Sequence, residues 1–317
     1  MSDYAIGVDL GGTKIEAALI DRAGVRVARA YRPTHAAEGV EAVVGRIVAA
    51  IEELRAAGGP IAGIGVGVPG VVTAAGVVAL ASNLHWRDVP LRAMLSARLG
   101  DAGARGLYME KDTNAAALGE IRYGAGQGAR HMLYVTVGTG VGGGMVLDGR
   151  VYHGARDKAG EIGHMVLAPG GHRCGCGKRG CLETLASGTA IERWTREALA
   201  RGEPSTLAGA DREALTAKDI ASAAQAGDAL ARRAFEVAGR HLGHGLALYA
   251  DLVDPERIVI GGGVAAAGDL LFEPVRAALR EWAFRGDEIA ASVVRAGLGP
   301  ESGAIGAAAL VWHGLEG

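Results

Sequence analysis

Asp9-Leu10-Gly11-Gly12-Thr13-Lys14 joins two β-prone runs, Tyr4–Asp9 and Lys14–Ile20. A glycine-rich turn of this kind can aim backbone N–H groups at phosphate oxygens. Thr13 and Lys14 add a hydroxyl and a positive charge. Asp9 could hold Mg²⁺ through water, as hard cations prefer. Val137-Gly138-Thr139-Gly140-Val141 repeats the arrangement inside the glycine turn Gly138–Gly144, and Ile258–Ala265 supplies a third loop with Gly261, Gly262 and Gly263. One such loop is an ordinary hairpin turn; several in one chain point to a bound phosphate chain. Gly65–Gly70 and Gly138–Gly143 also match G-x-G-x-x-G. That pattern marks a dinucleotide site only where a helix follows, and β-prone residues follow both.

Cys174, Cys176 and Cys181 lie within eight residues, spaced by glycines that let the chain fold round an ion. Three thiolates and one imidazole suit tetrahedral Zn²⁺. Two histidines are candidates for the fourth ligand, His164 and His172. Asp112 stands where a short strand, Gly106–Glu110, gives way to an alanine-rich helix, Thr113–Tyr123. An aspartate there can cap the helix or act as a base.

These residues need a scaffold. The chain has 317 residues, enough for two domains or one large one. The 52 glycines imply many tight turns or backbone held close to a ligand. A net charge of -2 gives no basic footprint for nucleic acid, and 4% aromatics give no stacking platform. The first residues carry no basic stretch with an apolar run, so the expectation is a cytoplasmic protein without a secretory signal. Ile61–Ala81 is uncharged, but Pro69 and its glycines argue against a membrane span.

Apolar spacing predicts helices over Val40–Ala57, Ser187–Ala200, Leu215–Ala226, Leu230–Val253, Leu270–Ala283 and Ser302–Trp312. Strands are expected at Val25–Ala30, Ile61–Val68, His131–Val137, Met145–Leu147, Ile162–Leu167 and Arg257–Ile260, with a strand–turn–strand over Val71–Ala79. The strand–glycine turn–strand unit occurs twice, which suggests two related α/β halves. The boundary is expected at Lys111: residues 1–111 form one domain and 112–301 a larger one, with 302–317 packing back on the first.

Asp9–Lys14, Gly138–Gly144 and Gly261–Val264 resemble the two phosphate motifs and the adenosine motif of the actin-like ATPase superfamily. Glu161-Ile-Gly-His164, followed by Cys174-Gly-Cys176-Gly-Lys-Arg-Gly-Cys181-Leu-Glu183, resembles the signature of the ROK family (repressors, open reading frames and kinases). The resemblance covers Tyr4 to about Val311. It implies two actin-like, ribonuclease H-like α/β domains with an ATP and sugar cleft that closes on its substrates. It also implies ATP with Mg²⁺ as the phosphoryl donor, and a structural Zn²⁺ held by His164, Cys174, Cys176 and Cys181. Lys111-Asp112-Thr113-Asn114 is similar to the family's Asn-Asp-x-Asn, which makes Asp112 the general base. Asn83, Lys111, Glu161, His164 and Glu183 would hold the sugar. Lys111 departs from the family's Asn and can donate but not accept a hydrogen bond.

The resemblance implies a hexokinase of the glucokinase type, making glucose 6-phosphate, because Asn83–Leu91 looks most like the loop of those enzymes. An N-acetylmannosamine or N-acetylglucosamine kinase shares Glu161, His164 and Glu183. Family repressors carry a helix-turn-helix ahead of the kinase-like part, and the phosphate strand here begins at Tyr4. A homodimer or homotetramer is expected, with no nucleic acid or membrane partner. The ligand span, residues 164–181, is flanked by Glu161 and Glu183, so zinc is expected to support the sugar site and not the ATP loops.

Overall fold

A computed structural model describes residues 4–100 and 106–316. Two five-stranded sheets dominate it. The first has β1 (Tyr4–Leu10), β2 (Lys14–Asp21), β3 (Arg26–Pro33), β4 (Ile61–Val68) and β8 (Leu107–Lys111), in the order β3-β2-β1-β4-β8. β1, β2 and β3 form an antiparallel meander, and β4 and β8 continue it in parallel. The second has β9 (Met132–Val137), β10 (Val141–Leu147), β11 (Arg150–Val151), β12 (Arg257–Gly261) and β13 (Val293–Arg295), in the order β11-β10-β9-β12-β13. The two sheets thus share one order: a three-strand meander, then two further strands beside its first. A small third sheet joins β5 (Val71–Val72), β6 (Val78–Ala81) and β7 (Trp86–Val89).

The alternation of side chains along a strand explains the layers of the first sheet. Ile6, Val8 and Leu10 lie in one core with Val43, Val44, Ile47, Ile51 and Leu54 of the Val40–Ala57 helix. Ala5 falls in a second core with Ala18, Ile20 and the Ser302–Glu316 helix, through Ala304, Ile305, Ala308, Val311 and Trp312. Gly7 and Gly65 pair in register across β1 and β4. A Cβ on Gly7 would stand 1.9 Å from the Ala304 carbonyl oxygen, and one on Gly65 would stand 1.7 Å from that of Ala307. The last helix can lie on the sheet only because these two residues are bare.

The chain divides into two compact units. One is Met1–Arg130, Gly144–Ala159 and Ala296–Gly317; the other is His131–Gly143 and Gly160–Arg295. The Asp112–Tyr123 helix belongs to the first unit, because Ala115 and Leu118 pack on Ala309 and Leu310. The cut therefore does not fall at Lys111. Glu120 secures the chain's return to this unit. It is fully buried, and its carboxylate accepts from the N–H groups of Ala125, Gly297 and Leu298 at 2.8–2.9 Å.

Two expected elements differ. Ile162–Leu167 is not a strand: Ile162–His164 forms a 3₁₀ turn, and Val166 makes one isolated bridge to Cys181. A Cβ on Gly163 would stand 1.9 Å from the Val141 carbonyl oxygen, so the chain wraps closely there. The second glycine turn is also shorter than expected. It ends at Gly140, and Gly142, Gly143 and Gly144 lie within β10. Glycines inside a strand mark close backbone approach rather than a turn. A Cβ on Gly143 would stand 2.6 Å from the Gly160 carbonyl oxygen.

Candidate active site

In the first unit, Asp9 is the second-last residue of β1, and the turn after it closes with Gly11 N–H donating to the Lys14 carbonyl at 2.8 Å. Buried Thr34 pins this turn. Its N–H donates to the Thr13 carbonyl at 2.8 Å and its hydroxyl to the Gly11 carbonyl at 2.7 Å. Sequence reading passed over Thr34, because the two segments lie some twenty residues apart. Gly12 abuts exposed Asn83: a Cβ on Gly12 would stand 2.9 Å from the Asn83 Cβ. Gly303, in the first turn of the last helix, lies against the Asp9 carboxylate.

Asp112 opens its helix directly after β8, and its Oδ1 accepts from the Thr113 N–H at 2.7 Å. Burial, with the Asp112 charge nearby, pushes the Asp9 carboxyl up to about 7. Lys14 Nζ lies 2.6 Å from Glu16 Oε2. Burial works against the Lys14 charge, but bonded Glu16, with Asp9 beside it, outweighs that and raises its pKa. Lys111 closes β8 as a buried residue. The first unit therefore gathers Asp9, the first glycine turn, Asn83 and the base candidate Asp112.

In the second unit, Gly138 and Thr139 line a cavity of about 690 Å³ together with Thr189, Glu192, Lys218 and Gly263. Gly188 N–H donates to the Gly138 carbonyl at 2.7 Å, and the Thr189 hydroxyl to that of Thr139 at 2.9 Å. Ser187 caps the Gly188–Ala200 helix, whose first turn faces this cavity. A helix N-terminus with a glycine turn against it favours an anion. Gly261 ends β12, and Gly262 turns the chain at φ 86° into Gly263. Thr189, Glu192, Thr216 and Lys218 are lining residues that no glycine signal could have flagged.

The cysteine loop lies in the same unit. The ligand atoms of His164, Cys174, Cys176 and Cys181 all lie within 4.8 Å of one another. His164 Nδ1 is 3.6 Å from Cys174 Sγ, and Cys176 Sγ is 3.6 Å from Cys181 Sγ. Ligands held at ~2.0–2.3 Å around tetrahedral zinc stand roughly 3.5–3.8 Å apart, so the four residues fit that ion. His172 is exposed and outside the group. Lys178 Nζ donates to the His164 carbonyl at 2.7 Å, fixing the histidine's backbone.

With Nδ1 on the cluster, His164 Nε2 lies 3.9 Å from Glu161 Oε2. Glu183 touches both the cluster and the second glycine turn. Its Oε1 is 3.5 Å from Cys174 Sγ, and its Oε2 accepts from the Val141 N–H at 3.1 Å. Distance along the chain had suggested that this loop and the glycine turn are separate; Glu183 brings them into contact.

Two sheets of the same strand order, each with a glycine turn after its first strand, define a fold of the actin-like ATPase kind. The ROK family profile matches residues 5–313, and the chain belongs to that family. It is 40% identical to the glucokinase of Halalkalibacterium halodurans over 98% of this chain and 96% of that protein. The structure is similar to that of a ROK family glucokinase from Streptomyces griseus in complex with glucose and AMPPNP. The TM-score is 0.86, with 35% identity, covering 98% of this chain and 99% of that one. The chain is also 30% identical to the xylose repressor of Caldicellulosiruptor bescii, over 88% of this chain and 70% of that protein. Among the described residues no helix is long and apolar enough to cross a membrane.

Proposed function

We propose that the protein is an ATP-dependent glucokinase. The observation that carries this reading is the pairing, in one unit, of Asp112 and Asp9 on either side of Gly67: Asp9 pairs with Gly67 in register, and a Cβ on Gly67 would stand 3.6 Å from the Asp112 Cα. Asp112 takes the proton of the sugar 6-hydroxyl as its oxygen attacks the γ-phosphorus. The new O–P bond forms while the bond to the β-phosphate oxygen breaks, releasing ADP and glucose 6-phosphate. Asp9 would face Mg²⁺ through water, and that ion supplies neutralisation of the developing phosphate charge. Gly138, Thr139 and Gly263, which line the cavity of the second unit, would hold the nucleotide.

Asn83, Lys111, Glu161, His164 and Glu183 hold the sugar hydroxyls. His164 serves the metal through Nδ1 and the sugar through Nε2. His164, Cys174, Cys176 and Cys181 would hold a zinc ion, which would fix the thiolates and the imidazole in a structural role. Bound to zinc as a thiolate, Cys174 would not donate to Glu183, and Oε1 would be free for a sugar hydroxyl. ATP and reduced thiols are both cytoplasmic conditions, and we place the enzyme there. We also propose a homodimer or homotetramer. The exposed Leu248, Leu252, Trp282 and Phe284 give the second unit an apolar surface suited to a second copy.

A panel of hexoses and N-acetylhexosamines with ATP and Mg²⁺ tests the reading. Glucose should give the highest kcat/KM, with weaker use of mannose and 2-amino sugars; a higher value for N-acetylmannosamine would reassign the substrate. The metal is tested by Cys176→Ser. Elemental analysis should fall from about one zinc per chain to none. The KM for glucose should rise strongly. The KM for ATP should rise less, through the bond from Glu183 to Val141. Normal glucose kinetics in metal-free protein would defeat the ligand assignment.

A further inference from the structure

Glu110 is the residue before Lys111-Asp112, the second-last of strand β8, and the kinase reading gives it no task. Its carboxylate is engaged on both oxygens. Oε1 accepts from the Lys111 N–H at 2.8 Å and from Asn114 Nδ2 at 3.0 Å. Oε2 lies 2.6 Å from His153 Nε2. The Glu110 side chain is 13% exposed and that of His153 is 44% exposed. Asn114 is buried, and its Oδ1 has no hydrogen-bond partner among the described residues, so its amide is held there by the Glu110 contact. His153 follows β11, on the segment that runs into Glu161, and its carbonyl accepts from the Ala159 N–H at 3.0 Å.

Two of the three contacts bracket Asp112 in the chain. Lys111 N–H lies just before it, the Asn114 side chain lies two residues after it, and one carboxylate receives both. A strand-to-helix corner held only by its backbone can pivot. One whose two flanks share an anchor cannot move Asp112 without breaking a partly buried, charge-assisted bond. The bond to His153 then fixes the anchor itself, because a carboxylate with two acceptor sites used on one oxygen could still rotate about its stem. The bonded carboxylate also raises the His153 pKa above its ordinary value.

We propose that Glu110, held by His153 and in turn holding Lys111 and Asn114, is the positioning residue that sets the Asp112 carboxylate against the sugar hydroxyl. Glu110 is not a second base, because both its oxygens are occupied. The inference rests on the kinase reading. Catalysis is sensitive to small displacements: a misplacement of ~1 Å can cost about 10²-fold. A shift of the base costs rate rather than nucleotide binding, so the effect belongs in kcat.

The test compares Glu110→Ala, Glu110→Gln and His153→Ala with the wild type. Glu110→Ala should lower kcat about 10- to 100-fold, with the KM for MgATP within about twofold. Glu110→Gln keeps an oxygen that accepts from Lys111 and Asn114, and should recover to within about threefold of wild type. His153→Ala, at a half-exposed position, should lower kcat by about three- to tenfold with the melting temperature little changed. Amide exchange over residues 111–118 should quicken in Glu110→Ala, a readout independent of turnover. An Ala variant with wild-type kcat overturns the proposal. A Gln variant as impaired as Ala overturns it too, since the charge and not the anchoring would then matter. A wild type inert on every sugar of the panel overturns the kinase reading and this one with it, an outcome distinct from an active wild type with an active Ala variant.

Discussion

Asp112→Asn should cut kcat by about 10²–10⁴-fold, the usual worth of general acid–base catalysis. The replacement keeps the shape of the side chain and its Oδ1 contact to the Thr113 N–H, so the helix start survives. It removes the ability to accept a proton. The variant should bind glucose with a Kd near that of the wild type, because Asn can still donate to or accept from a hydroxyl. Loss in kcat with little change in KM is the pattern of an interaction realised in the transition state. A capping role predicts something else: a lowered melting temperature and near-normal turnover. Steady-state kinetics with calorimetric glucose binding separates the two, and near-normal turnover would rule out Asp112 as the base. The variant should also lower the pKa of Asp9, since it takes away the second-largest influence holding that carboxyl up.

Much of the scaffold could be read along the chain where a strong period meets a hard stop. The helix Val40–Ala57 was legible to the residue, because its apolar spacing begins after Gly39 and ends at Gly58-Gly59. The strand Ile61–Val68 was legible because β-branched residues alternate with glycine. Leu91–Leu99 was not proposed as a helix, although Leu91, Leu95 and Leu99 share one buried face. It is short, starts at Pro90 and has no side-chain cap, so little local signal marks it. The motif residues in the site were readable because glycine turns and cysteine spacing are local. Thr34, Glu110, His153 and Lys178 were not. Each acts by a hydrogen bond to a chemistry-bearing segment, and Thr34, His153 and Lys178 reach theirs from 14 to 43 residues away along the chain. Their residue types are unremarkable until the fold supplies the partner.

Asp9→Asn should make the protein more stable at pH 8 while removing most of its activity. Asp9 titrates near 7 in the folded chain against an ordinary value of 3.8, with burial the largest cause and the Asp112 charge next. Between these values the native state holds a proton that the unfolded chain has released. Stability therefore falls as pH rises from about 4 to about 7, and the cost is fully present above 7. The roughly three pH units between the two values set a ceiling of ~4 kcal/mol, and partial solvation of the site brings the real figure below it. Asn carries no charge to desolvate, so the gain from Asp9→Asn should be clear at pH 8 and vanish near pH 4. Urea unfolding at the two pH values measures it. The same charge that strains the empty protein is what a hydrated Mg²⁺ on the phosphates would meet. Its loss should lower kcat/KM for MgATP by about 10²-fold or more, the scale seen when one preorganised electrostatic partner is removed. The Mg²⁺ concentration for half-maximal rate should rise as well. Binding of MgATP to the wild type at pH 6.5 should release a proton, and calorimetry in buffers of different ionisation enthalpy detects it. Equal stability of variant and wild type at pH 8, with no proton released, would show that the Asp9 carboxyl is not held up by its surroundings.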